Sequence, residues 1–340
     1  MTIADLGEFG LIAAIAARLR PAGAGVIGVG DDAAVLALPA GRPVATMDLL
    51  IEGRHFRRDW SAAADVGGKA AARNLADVAA MGAVPVALLV GLAAPGDLPV
   101  AWAEGLADGI AAESARAGAA VVGGDVSSAD TNMIAITALG DLAGRAPVTR
   151  AGARPGDVLA VAGVLGQSAA GQALLTAGLA EPASLVAAHL RPRPGYEAGP
   201  EAADLGATSM IDISDGLVAD LGHVAQASGT AINIDTTRLV PTPDLLAAAA
   251  ALEAAGRPAQ AAGGAPPRGA AAGGAPGGAA VAAPLSWLLT GGEDHALAAT
   301  FPPDARLPAR WTVLGQVRAG HGVSVDGRPW HGRAGGEHYR

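Results

Sequence analysis

Cysteine is absent from this chain of 340 residues, which excludes disulfide bonds, a thiolate metal site and a cysteine nucleophile. Aromatic residues make up 3% of the chain, and alanine, valine and leucine supply most of the apolar 51%. Lysine occurs once, at Lys69, so arginine carries the rest of the side-chain positive charge. This composition predicts a globular protein that is long enough for two domains, each with its own core.

Positive charge is also scarce overall, because the formal net charge is −9. A nucleic-acid-binding surface needs clustered lysine and arginine, so we expect no nucleic-acid partner. An uninterrupted apolar span of about 20 residues is missing, so we expect no membrane segment. The N-terminal residues show neither a positive leader nor a cleavage site, which favours a cytoplasmic protein. The acidic balance is compatible with a site that collects metal cations.

The common phosphate-binding motifs are missing as well. The chain has no GxxxxGK[ST] loop, no HRD or DFG set, and no GxGxxG motif after a strand. If this protein acts on phosphates, metal ions must neutralise the phosphate charge in place of a P-loop lysine.

Residues 44–82 combine a predicted strand and a predicted helix that both carry acidic residues. A short apolar run predicts the end of a buried strand, with Asp48 where that strand leaves the sheet. An alanine-rich helix follows, in which Lys69, Arg73 and Asp77 are spaced four apart and share one face. One interpretation is a surface face of ion pairs. The other is a buried carboxylate that needs a bound ligand, because uncompensated burial of a charge is costly.

Alternating strand and helix patterns predict an α/β fold with an N-terminal domain at 1–150 and a C-terminal domain at 151–340. A low-complexity segment of alanine, glycine and proline at 253–284 predicts a flexible insertion. The predicted helices are 5–20, 98–117, 166–178 and 183–192, and the predicted strands include 83–95, 153–163, 310–317 and 322–330.

Acidic residues recur at the predicted ends of strands. Taken singly, Gly30-Asp31-Asp32 is typical of a hairpin turn, and Ser214 or Asp215 is typical of a helix N-cap. Taken together, so many acidic turns without matching cations are better explained by hard metal ions such as Mg²⁺, which binds carboxylate, water and phosphate oxygens. The acidic positions are Asp31, Asp32, Asp48, Asp77, Asp125, Asp212, Asp215 and Glu293.

The order of the motifs resembles that of the thiamine-monophosphate kinases over nearly the whole chain. The motifs are GVGDDAAVL, TMD, EGRHF, K-x4-NLADVAAMGA, GGD, TRAGARPGD, IDISDGLVADLGH and LTGGED. The same superfamily contains aminoimidazole ribonucleotide synthetase, selenophosphate synthetase and a hydrogenase-maturation protein. The last two depend on a cysteine or selenocysteine, which this chain lacks.

The resemblance implies a two-domain fold of the aminoimidazole ribonucleotide synthetase type, and a homodimer whose N-terminal domains share a β-barrel. It implies transfer of the γ-phosphoryl group of ATP to thiamine monophosphate, which gives thiamine diphosphate. It implies that ATP meets Gly124, Asp125, Arg150 and Ser214, and that thiamine monophosphate meets His55 and Glu293. The implied Mg²⁺ ligands are Asp32, Thr46, Met47, Asp48, Asp77, Asp125, Asp212 and Asp215.

The chain departs from the family pattern in three places. Met47 replaces a threonine, so a side-chain ligand is lost there while the backbone carbonyl remains. Ala107 stands near a position where the family has an aromatic residue close to the nucleotide. The aromatic residue expected on the substrate near the C-terminus is replaced by either Trp330 or Tyr339, or by neither. Two alternatives therefore stay open: another ATP-using member of the superfamily, and a catalytically inactive nucleotide-binding homologue.

Overall fold

A computed structural model describes residues 43–257 and 283–330, with residues 14, 18, 25–27 and 35–36 before them. The helix expected at 5–20, the turn at Asp31 and Asp32, and most of the insertion expected at 253–284 lie outside the described residues. The described part contains eight α-helices and thirteen strands, which confirms the expected α/β class. None of those helices has the length and apolar character that crossing a membrane requires.

Contacts divide the chain into two compact units. The first contains Met1–Pro147 and Tyr196–Asp204, and the second contains Val148–Gly195 and Leu205–Arg340. No local sequence pattern predicts that the segment from Tyr196 to Asp204 returns to the first unit. Gly199 explains how that segment packs, because a Cβ at Gly199 would lie 2.0 Å from the backbone oxygen of Ala79.

The first unit is built on a four-stranded sheet with the order β3-β6-β4-β5, in which β4 and β5 are parallel and the other pairs are antiparallel. Strands β1 and β2 form a separate antiparallel pair. The elements of this unit are β1 (Gly25–Ile27), β2 (Val35–Leu36), β3 (Pro43–Ile51), α1 (Ala63–Ala80), β4 (Val84–Ala94), α2 (Val100–Arg116), β5 (Ala120–Ser128), β6 (Met133–Asp141) and α5 (Ala198–Asp204).

Helices α1 and α2 pack at glycine positions. A Cβ at Gly67 would lie 2.1 Å from the backbone oxygen of Leu106, and a Cβ at Gly109 would lie 2.0 Å from that of Ala64. This close approach buries α1 so deeply that Lys69 is 2% exposed and Asn74 is 0% exposed. The interpretation of this helix face as a surface face of ion pairs is therefore wrong.

The two faces of the four-stranded sheet differ. Side chains alternate between the faces along β3, and Met47 is 57% exposed while Leu50 is 0% exposed. Met47, Thr137 and Leu89 stand opposite one another on three adjacent strands, so they form one row on the exposed face. The strand expected at 83–95 is found at Val84–Ala94. It is buried on one face rather than on both, since Leu89 is 38% exposed.

The second unit is built on a mostly antiparallel seven-stranded sheet with the order β13-β12-β9-β11-β7-β10-β8. Its core gathers apolar side chains such as Leu174, Leu221, Ile232 and Trp287. Its elements are β7 (Val158–Ala162), α3 (Gln167–Thr176), α4 (Ala183–Leu190), β8 (Ser209–Asp212), α6 (Leu217–Ser228), β9 (Ala231–Ile234), α7 (Pro243–Ala254), α8 (Ala283–Thr290), β10 (Leu297–Phe301), β11 (Trp311–Arg318), β12 (Gly322–Val325) and β13 (Arg328–Pro329).

Two of the acidic residues expected at strand ends lie inside strands. Asp48 pairs with Ile136 in the middle of β3, and Asp125 lies opposite Gly91 within β5. The expectation fails because an edge strand can hold polar residues on alternate positions while its backbone pairing continues. Asp212 is the last residue of β8, as expected.

Candidate active site

The first unit holds Asp48 in contacts with α1. Arg73 Nε lies 3.2 Å from Asp48 Oδ2, and Asn74 Oδ1 accepts the Asp48 backbone N–H at 2.9 Å. Asn74 also donates to the backbone oxygen of Ala70 at 3.0 Å, which fixes its buried amide. The helix therefore orients both the backbone and the carboxylate of Asp48.

A second carboxylate, Asp77, lies on the same side of the sheet. Thr46 Oγ1 donates to Asp77 Oδ2 at 2.9 Å. Thr46 and Asp48 are two residues apart in β3, so both side chains point to the face that α1 covers. Met47 points to the opposite, exposed face, so its thioether cannot join this group. If Met47 binds a ligand here, it does so through its backbone.

Three further positions implied by the resemblance lie in the first unit. Gly124 can only be a glycine, because a Cβ there would lie 1.9 Å from the backbone oxygen of Val90. Asp125, the next residue of β5, is exposed. His55 Nδ1 accepts the backbone N–H of Ile51 at 3.0 Å. The proton of its neutral ring is therefore on Nε2.

In the second unit, the acidic loop between β8 and α6 is organised by a buried residue that the sequence analysis does not single out. Asp220 Oδ2 accepts the backbone N–H groups of Ser214, Asp215 and Gly216 at 3.1, 3.0 and 3.0 Å. Gly216 is the N-cap of α6, and no side chain caps this end. The interpretation of Ser214 or Asp215 as an N-cap is therefore wrong.

Burial first, and then the nearby charges of Asp212 and Asp215, raise the pKa of Asp220 to about 8, against the hydrogen bonds from the backbone N–H groups. A carboxyl group at the start of a helix, four residues after a glycine, is the signal that could have identified Asp220.

The Gly-Gly-Glu turn is fastened to the same loop. The Glu293 backbone N–H donates to the Ser214 backbone oxygen at 2.8 Å, and the His295 N–H donates to the Ile213 oxygen at 3.0 Å. A Cβ at Gly292 would lie 2.3 Å from the Ser214 oxygen, so this contact requires glycine. Glu293 and His295 adopt positive φ angles of 64° and 54°, a conformation that is uncommon for non-glycine residues.

His295 is a second residue that the sequence analysis does not identify. His295 Nδ1 lies 3.0 Å from Asp212 Oδ2, and both side chains are buried. Its contact therefore orients the carboxylate at the end of β8.

Asp294, next to Glu293, is the third such residue. Its buried carboxylate accepts the backbone N–H groups of Gly166 and Ser168 at 2.5 and 2.8 Å. Burial raises the pKa of Asp294 to about 7, although these two N–H groups oppose the increase. His189 Nδ1 lies 3.1 Å from Ser168 Oγ and 3.7 Å from the carboxylate of Glu293. The turn is thus tied to the start of α3 and to α4.

The remaining implied residues are placed as follows. Arg150 is exposed, and its backbone oxygen accepts a hydrogen bond from Ser228 Oγ at 3.0 Å. Ala107 is 4% exposed and packs inside the first unit. Trp330 packs at the edge of the second unit's core. Asp32 and Tyr339 lie outside the described residues.

The carboxylates do not form a complete metal cage by themselves. Among the described residues, no group of three or more His, Asp or Glu side chains is arranged to hold a metal ion. Mg²⁺ commonly keeps several waters and binds one or two carboxylates together with substrate phosphates. A site with few carboxylates, such as those of Asp48 and Asp77, therefore suits Mg²⁺. It does not suit a metal whose ligands must all come from the protein.

Comparison with known proteins defines the class first. Residues 30–142 match the family model described as AIR synthase related protein, N-terminal domain. The chain is similar to a solved thiamine-monophosphate kinase from Stenotrophomonas maltophilia, with a TM-score of 0.76, 31% identity, and coverage of 96% of this chain and 98% of that one. The fold is thus that of an AIR-synthase-related protein.

The relatives then give the family. The chain is 43% identical over 335 residues to the thiamine-monophosphate kinase of Mycobacterium tuberculosis. The aligned residues cover 98% of this chain and 92% of that protein. A solved structure described as AaThiL complexed with AMPPCP and TMP has a TM-score of 0.74, 32% identity, and coverage of 98% and 97%. The chain belongs to the thiamine-monophosphate kinase family.

Proposed function

We propose that this protein transfers the γ-phosphoryl group of ATP directly to thiamine monophosphate, giving thiamine diphosphate and ADP. One observation carries the proposal in a chain of this family. Where α1 packs on β3, Thr46 bonds the carboxylate of Asp77 and Arg73 bonds that of Asp48. A family relative solved with AMPPCP and TMP supports the same pair of substrates.

The chemistry of the acceptor removes the need for a general base. The second pKa of a phosphate monoester is about 6, so at neutral pH the acceptor is already largely an oxyanion. Phosphoryl transfer has a loose transition state, so catalysis depends on positioning and on stabilising charge. We therefore propose in-line attack by the acceptor oxygen on the γ-phosphorus, with no phosphorylated enzyme.

Mg²⁺, when bound, would neutralise charge between two polyanions that otherwise repel each other. We propose that several ions bind. The proposed ligands are Asp32, Thr46, Met47 through its backbone, Asp48, Asp77, Asp125, Asp212 and Asp215. An ionised carboxylate has only acceptor oxygens, which suits a metal ligand. Arg73 orients the carboxylate of Asp48, and His295 orients that of Asp212.

We assign substrate contacts to residues with matching chemistry. We assign His55 to the phosphate of thiamine monophosphate, because an imidazole ring can donate a hydrogen bond to a phosphate oxygen. Glu293 carries a negative charge that suits the thiamine cation. ATP phosphates would meet Gly124, Asp125, Arg150 and Ser214, of which Arg150 provides a cation at the surface.

A rapid-quench experiment with ATP labelled at the γ position tests direct transfer. We expect the label to pass from ATP to thiamine diphosphate without a protein-bound fraction at any time before turnover. A labelled protein that forms and decays as fast as product appears would contradict this mechanism.

We also propose a homodimer in which the sheets of two first units form a shared barrel. The exposed face of the four-stranded sheet carries Met47, Leu49 and Leu89, which are 57%, 39% and 38% exposed. Contiguous apolar rows of this kind on a sheet typically mark an interaction surface, and a twofold axis would cover the same surface on both copies.

A further inference from the structure

A cavity of about 310 Å³, lined by both polar and apolar residues, opens on the seven-stranded sheet of the second unit. Its walls come from the adjacent strands β9, β11 and β7 and from two turns. Gln316 of β11 stands opposite both Asn233 of β9 and Val158 of β7, so these three side chains share one row. We call this cavity the sheet pocket. Asp212 lies on β8, at the far end of the strand order from β13.

Asn233 is the buried polar group of the sheet pocket. Its neighbours in β9, Ile232 and Ile234, belong to the apolar core, so Asn233 points to the other face of the sheet. Asn233 is 8% exposed. Its Oδ1 accepts the Gly327 backbone N–H at 2.7 Å and Ser324 Oγ at 2.9 Å. A backbone N–H can only donate, so the orientation of the amide is fixed.

The other end of that amide is left without a bond. Asn233 lines the pocket. Its Nδ2 makes no hydrogen bond with the residues that the structure describes, since both bonds of the amide are made by Oδ1. With Oδ1 held by the protein, Nδ2 can donate to water or to a ligand in the cavity. Asn233 therefore presents two donor hydrogens to whatever enters the cavity.

The acceptors around the pocket, in contrast, are already used. Asp326 accepts the Thr236 backbone N–H and Oγ1 at 2.9 and 2.7 Å. Asp235 accepts the Thr237 backbone N–H and Oγ1 at 3.0 and 2.6 Å, and Arg238 Nε lies 3.3 Å from its second oxygen. The carboxylates therefore shape the two turns and offer little to a ligand.

The unused groups are mainly donors. Arg318 and the side-chain amide of Gln316 line the pocket, and neither makes a side-chain hydrogen bond or ion pair with the described residues. Arg238 uses its Nε alone, which leaves its terminal nitrogens available. Val158 adds an apolar wall. A ligand that complements this arrangement carries an oxyanion and a small carbon body.

We propose that the sheet pocket binds the oxyanion group of a small organic acid or phosphate ester, with Asn233 Nδ2 and Arg318 as its donors. The carboxylate and phosphate sources share this chemistry, and binding experiments with both separate them. The site is independent of the reaction proposed above, because its residues are not among the proposed substrate or metal ligands.

Isothermal titration calorimetry of the full chain without Mg²⁺ tests the proposal, with inorganic phosphate and succinate as probes at constant ionic strength. We expect wild-type protein to bind at least one probe with a Kd of about 1 mM or lower. Asn233→Asp keeps the acceptor for Gly327 and Ser324 but places negative charge in the pocket, so we expect binding to be lost. Arg318→Gln should weaken binding by about tenfold, the usual scale for a charge-assisted hydrogen bond.

Arg306→Gln is the matched control, because it removes the same charge from an exposed position of the same unit outside the pocket. We expect it to bind as wild type does. Phosphate-selective binding assigns a phosphate ester, and succinate-selective binding assigns an organic acid. No saturable binding of either probe at about 10 mM, or equal binding by wild type and Arg318→Gln, would overturn the proposal. The comparison of wild type with Arg318→Gln tests the proposal even if Asn233→Asp fails to fold.

Discussion

At the scale of single residues, Asp77 has the clearest expected role. It lies on a helix that is buried on most sides, and its carboxylate accepts a hydrogen bond from the Thr46 hydroxyl of the neighbouring strand. We propose that this carboxylate is a Mg²⁺ ligand, since Mg²⁺ binds carboxylate oxygens. The loss of its charge should therefore affect catalysis far more than folding.

We predict that Asp77→Asn lowers kcat by at least about 100-fold, the scale for one lost electrostatic contact at a transition state. High Mg²⁺ should recover much of the loss if metal binding is the role. Asp97→Asn, an exposed carboxylate in the turn after β4, is the control and should keep full activity. Steady-state kinetics over a range of Mg²⁺ concentrations measures both. A fully active Asp77→Asn protein would contradict the assignment.

A second prediction at this scale concerns Asp294 and pH. The pKa of Asp294 is about 7 in the folded protein, against an ordinary value of 3.8. The folded protein therefore binds a proton that the unfolded chain releases between these two values. Stability is highest at the acid end of this range and falls as pH rises to about 7, by up to about 1.4 kcal/mol per pH unit.

Asp294→Asn cannot titrate, so its free energy of unfolding should lack this contribution. It should also lose one of the two hydrogen bonds from Gly166 and Ser168, at a cost of about 1–3 kcal/mol. Urea unfolding of both proteins at several pH values between about 4 and 8 compares the slopes. Identical slopes in wild type and variant would show that burial does not shift this group.

At the scale of elements, some features could be predicted and others could not. The bounds of α1 follow from its alanine run and from Gly82, whose φ of 75° ends the helix. The length of β3 could not be predicted, because an apolar run shows where a strand is buried and not where its pairing stops. Asp48 and Asp125 were misplaced for this reason. His295 and Asp294 could not be predicted, because their partners are distant in sequence. Asp220 contacts residues four to six positions away, so its signal was local.

Close packing of α1 on α2 gives a prediction for elements. Gly109→Ala would place a Cβ 2.0 Å from the Ala64 backbone oxygen, so we expect a loss of about 1–3 kcal/mol in stability. Gly222→Ala in α6 is the matched control, because nothing lies within 4 Å of its Cβ position. That variant should gain about 0.5–1 kcal/mol. Thermal unfolding distinguishes the two, and an unchanged Gly109→Ala would mean that the helices can separate at little cost.

At the scale of the whole molecule, each of the two compact units carries carboxylates that we propose as Mg²⁺ ligands. The fold class was predictable from alternating patterns, and the family from the order of the motifs. The return of residues 196–204 to the first unit was not, since it depends on Gly199 meeting Ala79 rather than on a local pattern.

The proposed homodimer gives a prediction for the assembly. Leu89→Glu places a charge in the exposed row of the four-stranded sheet, so we expect light scattering to report a monomer where wild type is a dimer at micromolar concentration. Leu246→Glu changes a leucine that is 54% exposed on α7 of the second unit, and it should remain a dimer. A monomeric wild type, or a dimeric Leu89→Glu protein, would contradict the proposed interface.

The choice of acceptor tests the central claim most directly. ADP release with ATP and Mg²⁺ can be measured with thiamine monophosphate, free thiamine and aminoimidazole precursors as separate acceptors, with the product identified by chromatography. We predict thiamine diphosphate from the monophosphate and no turnover with the other acceptors. Turnover with free thiamine or an aminoimidazole precursor, and none with thiamine monophosphate, would contradict the account.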